Sequence, residues 1–440
     1  MKDSGIKWIG NIPDTWNVIK VKYNCSLKGR IGWQGLTTDE YIDEGPFLIT
    51  GTDFNVNDGV IDWDSCVHVS EWRYDQAPEI QVHNGDLLIT KDGTVGKVAI
   101  VTDMINKATL NSGVMVIRPT EDTYETKFLY YVLKSEEFWK WFNYINSGNT
   151  TISHLYQHDL NHFYFAITDK TEQRAIIDFL DKKCQQADNV IKKVKMQIEL
   201  LEEAKKACIT ECVTKGIKRE GQLKNTGIEW LRNVPDDWNV IRLKYITKQI
   251  VDGTHRTPTY VEKGVPFLRV TDITGNITEI DLNSVARIPE EEHQQLIVRC
   301  KPQEGDLLVS KNGTIGVPKV VDWKWDFSIF VSLCLLKLTE IIDVRFLFYY
   351  FKSNIVDIEI ALEGVTNTIT NLHLEKLRNF YIPIPTIEEQ KEIVVYLDKK
   401  CSNIDKIIEK KKTELNILEE QKKSLINEYI TGKKRVKGYT

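Results

Sequence analysis

The sequence predicts an α+β protein built from two tandem pseudo-repeated domains. They are separated by two long helices that form an intramolecular antiparallel coiled coil. Two observations carry this. A heptad-patterned stretch is written twice, as TEQRAIIDFLDKKC near residue 171 and as IEEQKEIVVYLDKKC from residue 387, and the segments before each copy also match in order. The plan is domain, helix, domain, helix: a first domain over 1–170, a spacer helix over 171–216, a linker and second domain over 217–386, a second spacer helix over 387–432 and a basic tail over 433–440.

The matching segments run along each globular half. GIKWIGNIPDTWNVIKVKY (5–23) returns as GIEWLRNVPDDWNVIRLKY (227–245), and NGDLLITKDGTVG (84–96) returns as EGDLLVSKNGTIG (304–316). KFLYYVLKS (127–135) pairs with RFLFYYFKS (345–353), and TISHLYQHDLNHFYFAI (151–167) with TITNLHLEKLRNFYIPI (368–384). Short β-rich runs alternate with turn signals: PFLITGTDF, GDLLIT, GKVAIV and GVMVIRP in the first half, PFLRVTDI, GDLLVS and VSLCLLKL in the second. One helix is expected near 126–142 and another near 343–358, set on an irregular, mostly antiparallel sheet. The Trp-Asn-Val segments near the start of each half are expected to enter the sheet or core.

In the first heptad stretch, apolar or small residues fall at Ile177, Leu180, Cys184, Ala187, Ile191, Val194, Ile198 and Leu201, steps of three and four. The second repeats the seam at Val394, Leu397, Cys401, Ile404, Ile408, Leu415 and Leu418. Each then places a lysine at a seam position, Lys205 or Lys422, before resuming at Cys208 or Leu425. Neither stretch contains Pro or an interior Gly, so each can run as one helix of about 45 residues, roughly 68 Å long. A parallel pairing would require the second domain, about 40 Å wide, to bridge the whole helix length. The antiparallel pairing asks only that the second helix start beside the end of the first. It also makes the two chain ends, GKKRVKGYT and MKDSGIKW, neighbours.

Composition sets limits. The chain has 440 residues, with 42% hydrophobic and 28% charged, as expected for a globular protein. No apolar run approaches a membrane span. The eight cysteines include no C-x-x-C, so buried free thiols are expected. A formal net charge of −5 means that any DNA affinity must come from local patches or from a partner. No Walker-type loop, G-x-G-x-x-G, H-E-x-x-H or G-x-S-x-G occurs, and no Asn- or Asp-Pro-Pro-aromatic loop, so no catalytic residue is assigned. His154, His158 and His162 fall at i, i+4 and i+8, but their counterparts are Asn371, Glu375 and Asn379. A polar face accounts for them better than a metal site does.

The candidate DNA-binding residues lie in three polar loops, each present in both halves. LKGRIGWQGL (27–36) offers Arg30, Trp33 and Gln34; its counterpart VDGTHRTPTY (251–260) offers Thr254, His255, Arg256 and Thr257. TKDGTVGK (90–97) offers Lys91, Thr94 and Lys97, and SKNGTIGV (310–317) offers Lys311, Asn312 and Thr314. SGNTTISH (147–154) and GVTNTITN (364–371) offer Asn149, Thr150, Asn367 and Thr368. Glycine lets backbone approach a ligand closely. Thr, Lys and backbone N–H groups suit phosphate oxygens, and Arg and Gln suit base edges.

The doubled order of these elements resembles the specificity subunits of type I restriction-modification systems over nearly the whole chain. The resemblance rests on the paired GI-x-W…P-x-x-W openings, GRIGWQGL with PFLITGTDF, DGTHRTP with PFLRVTDI, the two GDLL…GT-x-G elements and the two E-Q…LDKKC helices. It implies two target-recognition domains, each reading half of a split DNA site, with the coiled coil setting the spacing. It also implies two methyltransferase subunits that bring S-adenosylmethionine and methylate adenine, motor-nuclease subunits for restriction, and no cofactor on this chain itself. The unlike loops predict an asymmetric target. One departure is that YFAITDKTEQ lacks the Pro pair of YIPIPTIEEQ, which leads to the expectation of a less rigid lead-in to the first helix. The alternative reading is a coiled-coil scaffold whose paired domains bind proteins instead of DNA.

Overall fold

The computed structural model describes all residues except 31–35, 56–58, 148–153, 218–221, 275–279, 363–370 and 440. The chain divides into two compact units, Met1–Lys195 with Thr413–Thr440, and Met196–Lys412.

In the first unit, strand Val114–Pro119 lies between Leu87–Thr90 and Cys25–Gly29, with Val98–Ile100 at the edge, all antiparallel. Side chains alternate across a strand, and both faces of this sheet are covered. Leu87, Ile89, Met115 and Ile117 enter one core, while Leu88, Val114 and Val116 enter another beside Ile49, Ala108 and Leu110. Burial on both sides is why GDLLIT and GVMVIRP read as continuous apolar runs instead of alternating ones. A smaller sheet orders Ala108–Leu110, Ile42–Ile49 and Val67–His68, the first pair parallel and the second antiparallel. Asn17–Lys20 pairs with Tyr164–Ile167, and the preceding Trp16 is fully buried, so the Trp-Asn-Val segment enters both sheet and core.

The second unit repeats this plan. Leu333–Leu338 lies between Thr247–Asp252 and Leu307–Ser310, with Pro318–Val320 outermost. Leu307, Val309, Cys334 and Leu336 face one core; Leu308, Leu333 and Leu335 face the other. Val265–Leu268 pairs with Arg287–Ile288 and, in parallel, with Ser328–Ile329. Asn239–Arg242 pairs with Tyr381–Ile384, and Trp238 is buried.

Two helical expectations are corrected. The helix expected over 126–142 is two helices, Thr126–Lys134 and Glu136–Ile145, and its counterpart is Val344–Phe351 followed by Asn354–Leu362. The break falls on a buried serine whose hydroxyl donates back to the preceding turn: Ser135 to Val132 O and Ser353 to Tyr350 O, each at 2.7 Å. Such back-bonding competes with helix continuation. The histidine face does not form either, because only Gln157–Leu160 is helical and His154 precedes it. Among the described residues no group of His, Cys, Asp or Glu is arranged to hold a metal ion, and no helix is long and apolar enough to cross a membrane. All eight cysteines are free, seven of them buried.

The long helices are Lys170–Lys215 and Ile387–Ile430. Asp169 Oδ1 accepts from the backbone N–H groups of Thr171 and Glu172, both at 3.0 Å, capping the first. Thr386 Oγ1 accepts from Glu389 N at 3.3 Å, capping the second. Gly216 (φ +75°) and Gly432 (φ +69°) end them in the left-handed conformation that favours glycine. Within the first unit the helices run antiparallel: Phe179 packs against Tyr429, Asp188 pairs with Lys422 and Lys195 with Glu419. Within the second, Lys205 pairs with Asp405, and Ile209 and Val213 share a core with Leu397. Of the predicted seam, Ile177, Leu180, Cys184, Ile191, Val194, Val394, Leu397, Cys401 and Ile408 are buried, and Ile198, Leu201, Ile404, Leu415 and Leu418 are half-buried.

Candidate nucleic-acid interface

In each unit, two of the three predicted loops leave the large sheet side by side. In the first, Gly29 lies opposite Met115 and Thr90 opposite Val114, so the segments that follow emerge at one edge. In the second, Asp252 opposes Cys334 and Ser310 opposes Leu333 in the same way. Asn149, Thr150, Asn367 and Thr368 of the third loop, together with Trp33 and Gln34, lie outside the described residues.

The lysine turns are built alike. Thr90 Oγ1 donates to Thr94 O (2.6 Å) and accepts from Lys97 N (2.9 Å); Ser310 Oγ donates to Thr314 O (2.5 Å) and accepts from Val317 N (2.8 Å). The hydroxyl at the strand end therefore clamps the turn shut and leaves the side chains of Thr94 and Thr314 exposed. Lys97 donates to Gly51 O at 2.9 Å, where the second unit has Val317. Asn312 is half-buried and bridges to Asn371 through the backbone; the equivalent side chains in the first unit, Asp92 and His154, bond at 2.6 Å.

The first loop is held differently in the two units. Arg30 is buried, with Nε donating to Leu110 O at 2.8 Å and Nη2 to Thr109 Oγ1 at 3.2 Å. Burial, with Arg73 nearby, pulls its guanidinium below the ordinary value. As placed, it anchors the loop to strand Ala108–Leu110. At the matching position the second unit has Gly253, where an added Cβ would come within 2.0 Å of Ile329 O. Backbone does there what Arg30 does by side chain: Thr254 N donates to Ile329 O at 3.1 Å. Beyond it, His255, Arg256 and Thr257 are exposed, and Thr254 Oγ1 accepts from Arg256 N at 3.2 Å.

Sequence reasoning missed two residues here. Asp252, nearly buried, accepts from Lys311 Nζ (2.8 Å) and Arg299 Nη2 (2.5 Å) and lies 3.1 Å from His255 Nε2. Burial pushes its carboxyl up, but the Lys311 and Arg299 hydrogen bonds prevail and hold it below the usual carboxylate range. Arg299 also donates to Gly253 O at 3.2 Å. Together with Thr254, His255, Arg256, Gln295 and Ser328, it lines a cleft of about 360 Å³. Nothing in the sequence links Arg299 to a loop 47 residues earlier; the fold alone brings them together.

The sequence and the architecture match known proteins. The family model for the type I restriction modification DNA specificity domain matches residues 14–200 and again 235–417. The chain is 28% identical to a putative type I restriction enzyme MjaX specificity subunit of Methanocaldococcus jannaschii, over 98% of this chain and 96% of that one. The type I restriction enzyme MjaVIII specificity subunit of the same organism is 26% identical over 97% and 94%. The type I restriction enzyme EcoBI specificity subunit of Escherichia coli is 26% identical over 77% and 72%. Among solved structures, one chain from a study of complex assembly and conformational transition of the type I R-M system superposes with a TM-score of 0.69 at 17% identity, over 96% of this chain and 98% of that one, and so shares the fold. With both of its halves matched in order, the chain belongs to the type I restriction-modification DNA specificity family.

Proposed function

We propose that each unit reads one half of an asymmetric, two-part DNA target, and that the paired long helices set the number of unread base pairs between the halves. The observation that carries this reading is the repetition of one strand-and-turn frame with different loop chemistry. Arg30 stands in the first unit where Gly253 stands in the second, Gly29 where Asp252 stands and Lys97 where Val317 stands, and the second unit adds His255, Arg256 and Arg299 around its cleft. Unlike side chains on like frames suit unlike half-sites. Each long helix begins in one unit and ends in the other, which suits a spacer.

On this reading Thr94, Lys97, Thr314 and backbone N–H groups of the turns hold phosphates, and His255, Arg256, Thr257 and the unlike segments near 31–36 carry sequence preference. Arg30 and Lys311, buried and engaged within the fold, shape the loops instead of touching bases. The chain itself performs no chemistry. It docks two methyltransferase subunits, which bring S-adenosylmethionine and methylate adenine in each half-site, and motor-nuclease subunits join for restriction. With a net charge of −5, the partners supply much of the positive surface that embraces the duplex.

Genome-wide mapping of adenine methylation, with and without the gene, tests this. A split motif with two different halves should vanish on deletion. Unchanged methylation would overturn the proposal, and loss of a symmetric motif would overturn the asymmetric reading.

A further inference from the structure

We propose that one strand position decides whether the lysine of the adjoining turn meets DNA. With Gly29 in the first unit, Lys91 contacts a backbone phosphate of its half-site. With Asp252 in the second, Lys311 is withdrawn from the duplex, and Arg299 and Arg256 supply positive charge in its place. The inference rests on the DNA-specificity reading and adds to it a division of labour between equivalent residues.

Strand pairing makes the positions equivalent: Gly29 opposes Met115 and Asp252 opposes Cys334, the second residues of matching strands. Lys311 is 4% exposed, and its ammonium is held at 2.8 Å by Asp252, a carboxylate that it shares with Arg299. A buried cation tied to a buried carboxylate is held away from any phosphate at the surface, whereas an exposed cation on the same carboxylate can still reach one. Gly29 provides no carboxylate. A Cβ built there would lie 3.7 Å from Lys91 Nζ, so the amine sits where the missing acid would be. Lys91 is half-buried, and among the described residues its amine has no hydrogen bond or ion pair. A partly desolvated ammonium without an acceptor gains most from an anion brought to it. Its neighbours suit a phosphate, since the exposed Thr94 follows on the same clamped turn. A compact ammonium has none of the planar, forked geometry with which Arg reads a base edge.

The second unit compensates from another direction. Arg299, paired with Asp252 at 2.5 Å, and Arg256, 3.8 Å from Glu292 Oε1, line the cleft with side chains that remain 55% and 73% exposed. Asp252 is thus a positioning residue: it immobilises Arg299, steadies His255 and keeps Lys311 inside.

The test uses the full-length chain with its methyltransferase partners and a duplex carrying the mapped motif, titrated over a series of salt concentrations. Every atom near a Cβ added at Gly29 would be at 3.4 Å or more, so the strand accepts a side chain there and Gly29→Asp brings a carboxylate within reach of Lys91. That variant should weaken binding severalfold and reduce the slope of log affinity against log salt by about 0.9, the loss of one phosphate contact. Lys91→Gln should do the same without touching the strand, and Gly29→Ala and Lys311→Gln should leave the slope unchanged. Equal slopes for wild type and Lys91→Gln, or an equal drop for Lys311→Gln, would overturn the inference. Wild-type complex that bound motif-free duplex as tightly as motif-bearing duplex would instead overturn the DNA-specificity reading itself.

Discussion

Compared residue by residue, the two units keep one set of polar contacts and change another. Where domain meets long helix, they agree. Trp16 donates to Glu172 at 3.1 Å and Trp238 to Glu389 at 3.0 Å. Gln173 and Gln390 each accept from the backbone that begins the following short helix, at Glu125 N and Asp343 N. Tyr131 donates to Asp181 and Tyr349 to Asp398. At the loop edge they disagree: Arg30 against Gly253, Gly29 against Asp252, Lys97 against Val317. The contacts of the first kind are buried or partly buried, and each satisfies a polar group on a buried Trp, Gln or Tyr side chain, so neither copy can drop one without cost. Those of the second kind hold only their own loop. A loop of that sort can be rewritten while the frame stands, which is what a protein needs if its target is to change and its assembly is not.

The shared frame should fail equally in both copies. Trp16→Ala and Trp238→Ala each remove a fully buried indole and its hydrogen bond to a carboxylate, Glu172 or Glu389. Each should cost about 3–5 kcal/mol in chemical unfolding. A large difference between the two would show that the frame is not energetically equivalent in the two units.

A smaller effect should separate them. Glu137 is buried in the first unit with Oε1 unpartnered among the described residues, where the second unit places Ile355. Burial raises its carboxyl to about 8, against the pull of Lys433 and Lys140. The folded chain therefore holds a proton that the unfolded chain has lost above about pH 4.5. Stability from this group is full below that pH and falls as pH rises toward 8. Glu137→Ile should stabilise the first unit by on the order of 2–3 kcal/mol at pH 8 and by far less at pH 5, read from urea unfolding at the two pH values. The same gain at both would mean that the carboxylate is not the source of the penalty.

The two mutations also mark where the sequence was legible. Trp16 and Trp238 sit in segments written twice, and their burial follows from the repetition. The heptad seam and the sheet runs were visible for the same reason: period and copy number are sequence properties. Glu137 lies in an amphipathic EEFWKWF run, and nothing there tells a buried carboxyl from a solvated one. Ser135 reads as one more residue of a helix until its hydroxyl turns back on Val132. Arg30, read as a base contact, is consumed by Leu110 and Thr109, strands away in sequence. The exchange of Gly29 for Asp252 appears only once strand register aligns them, since the loops that follow differ in both length and composition. What the sequence withheld was pairing over long separations, and the loop edge depends on that almost entirely.

The smallest expected effect concerns a contact that both units share but bury unequally. Lys422 reaches both oxygens of Asp188, at 2.5 and 2.6 Å, with side chains 15% and 26% exposed; Lys205 reaches one oxygen of Asp405 at 2.5 Å, with 23% and 52% exposed. Both lysines occupy seam positions, where an apolar residue would gain burial. An exposed pair is worth about 0–1 kcal/mol. Lys205→Met should therefore be close to neutral, the lost attraction offset by the buried methionine. Lys422→Met leaves a less hydrated Asp188 behind and should cost about 1 kcal/mol. A double-mutant cycle with Asp188→Ala and Asp405→Ala should give the larger coupling for the Lys422 pair. Equal couplings would show that solvent screens both alike, and that these lysines are kept on the seam to fix its register instead of to stabilise it.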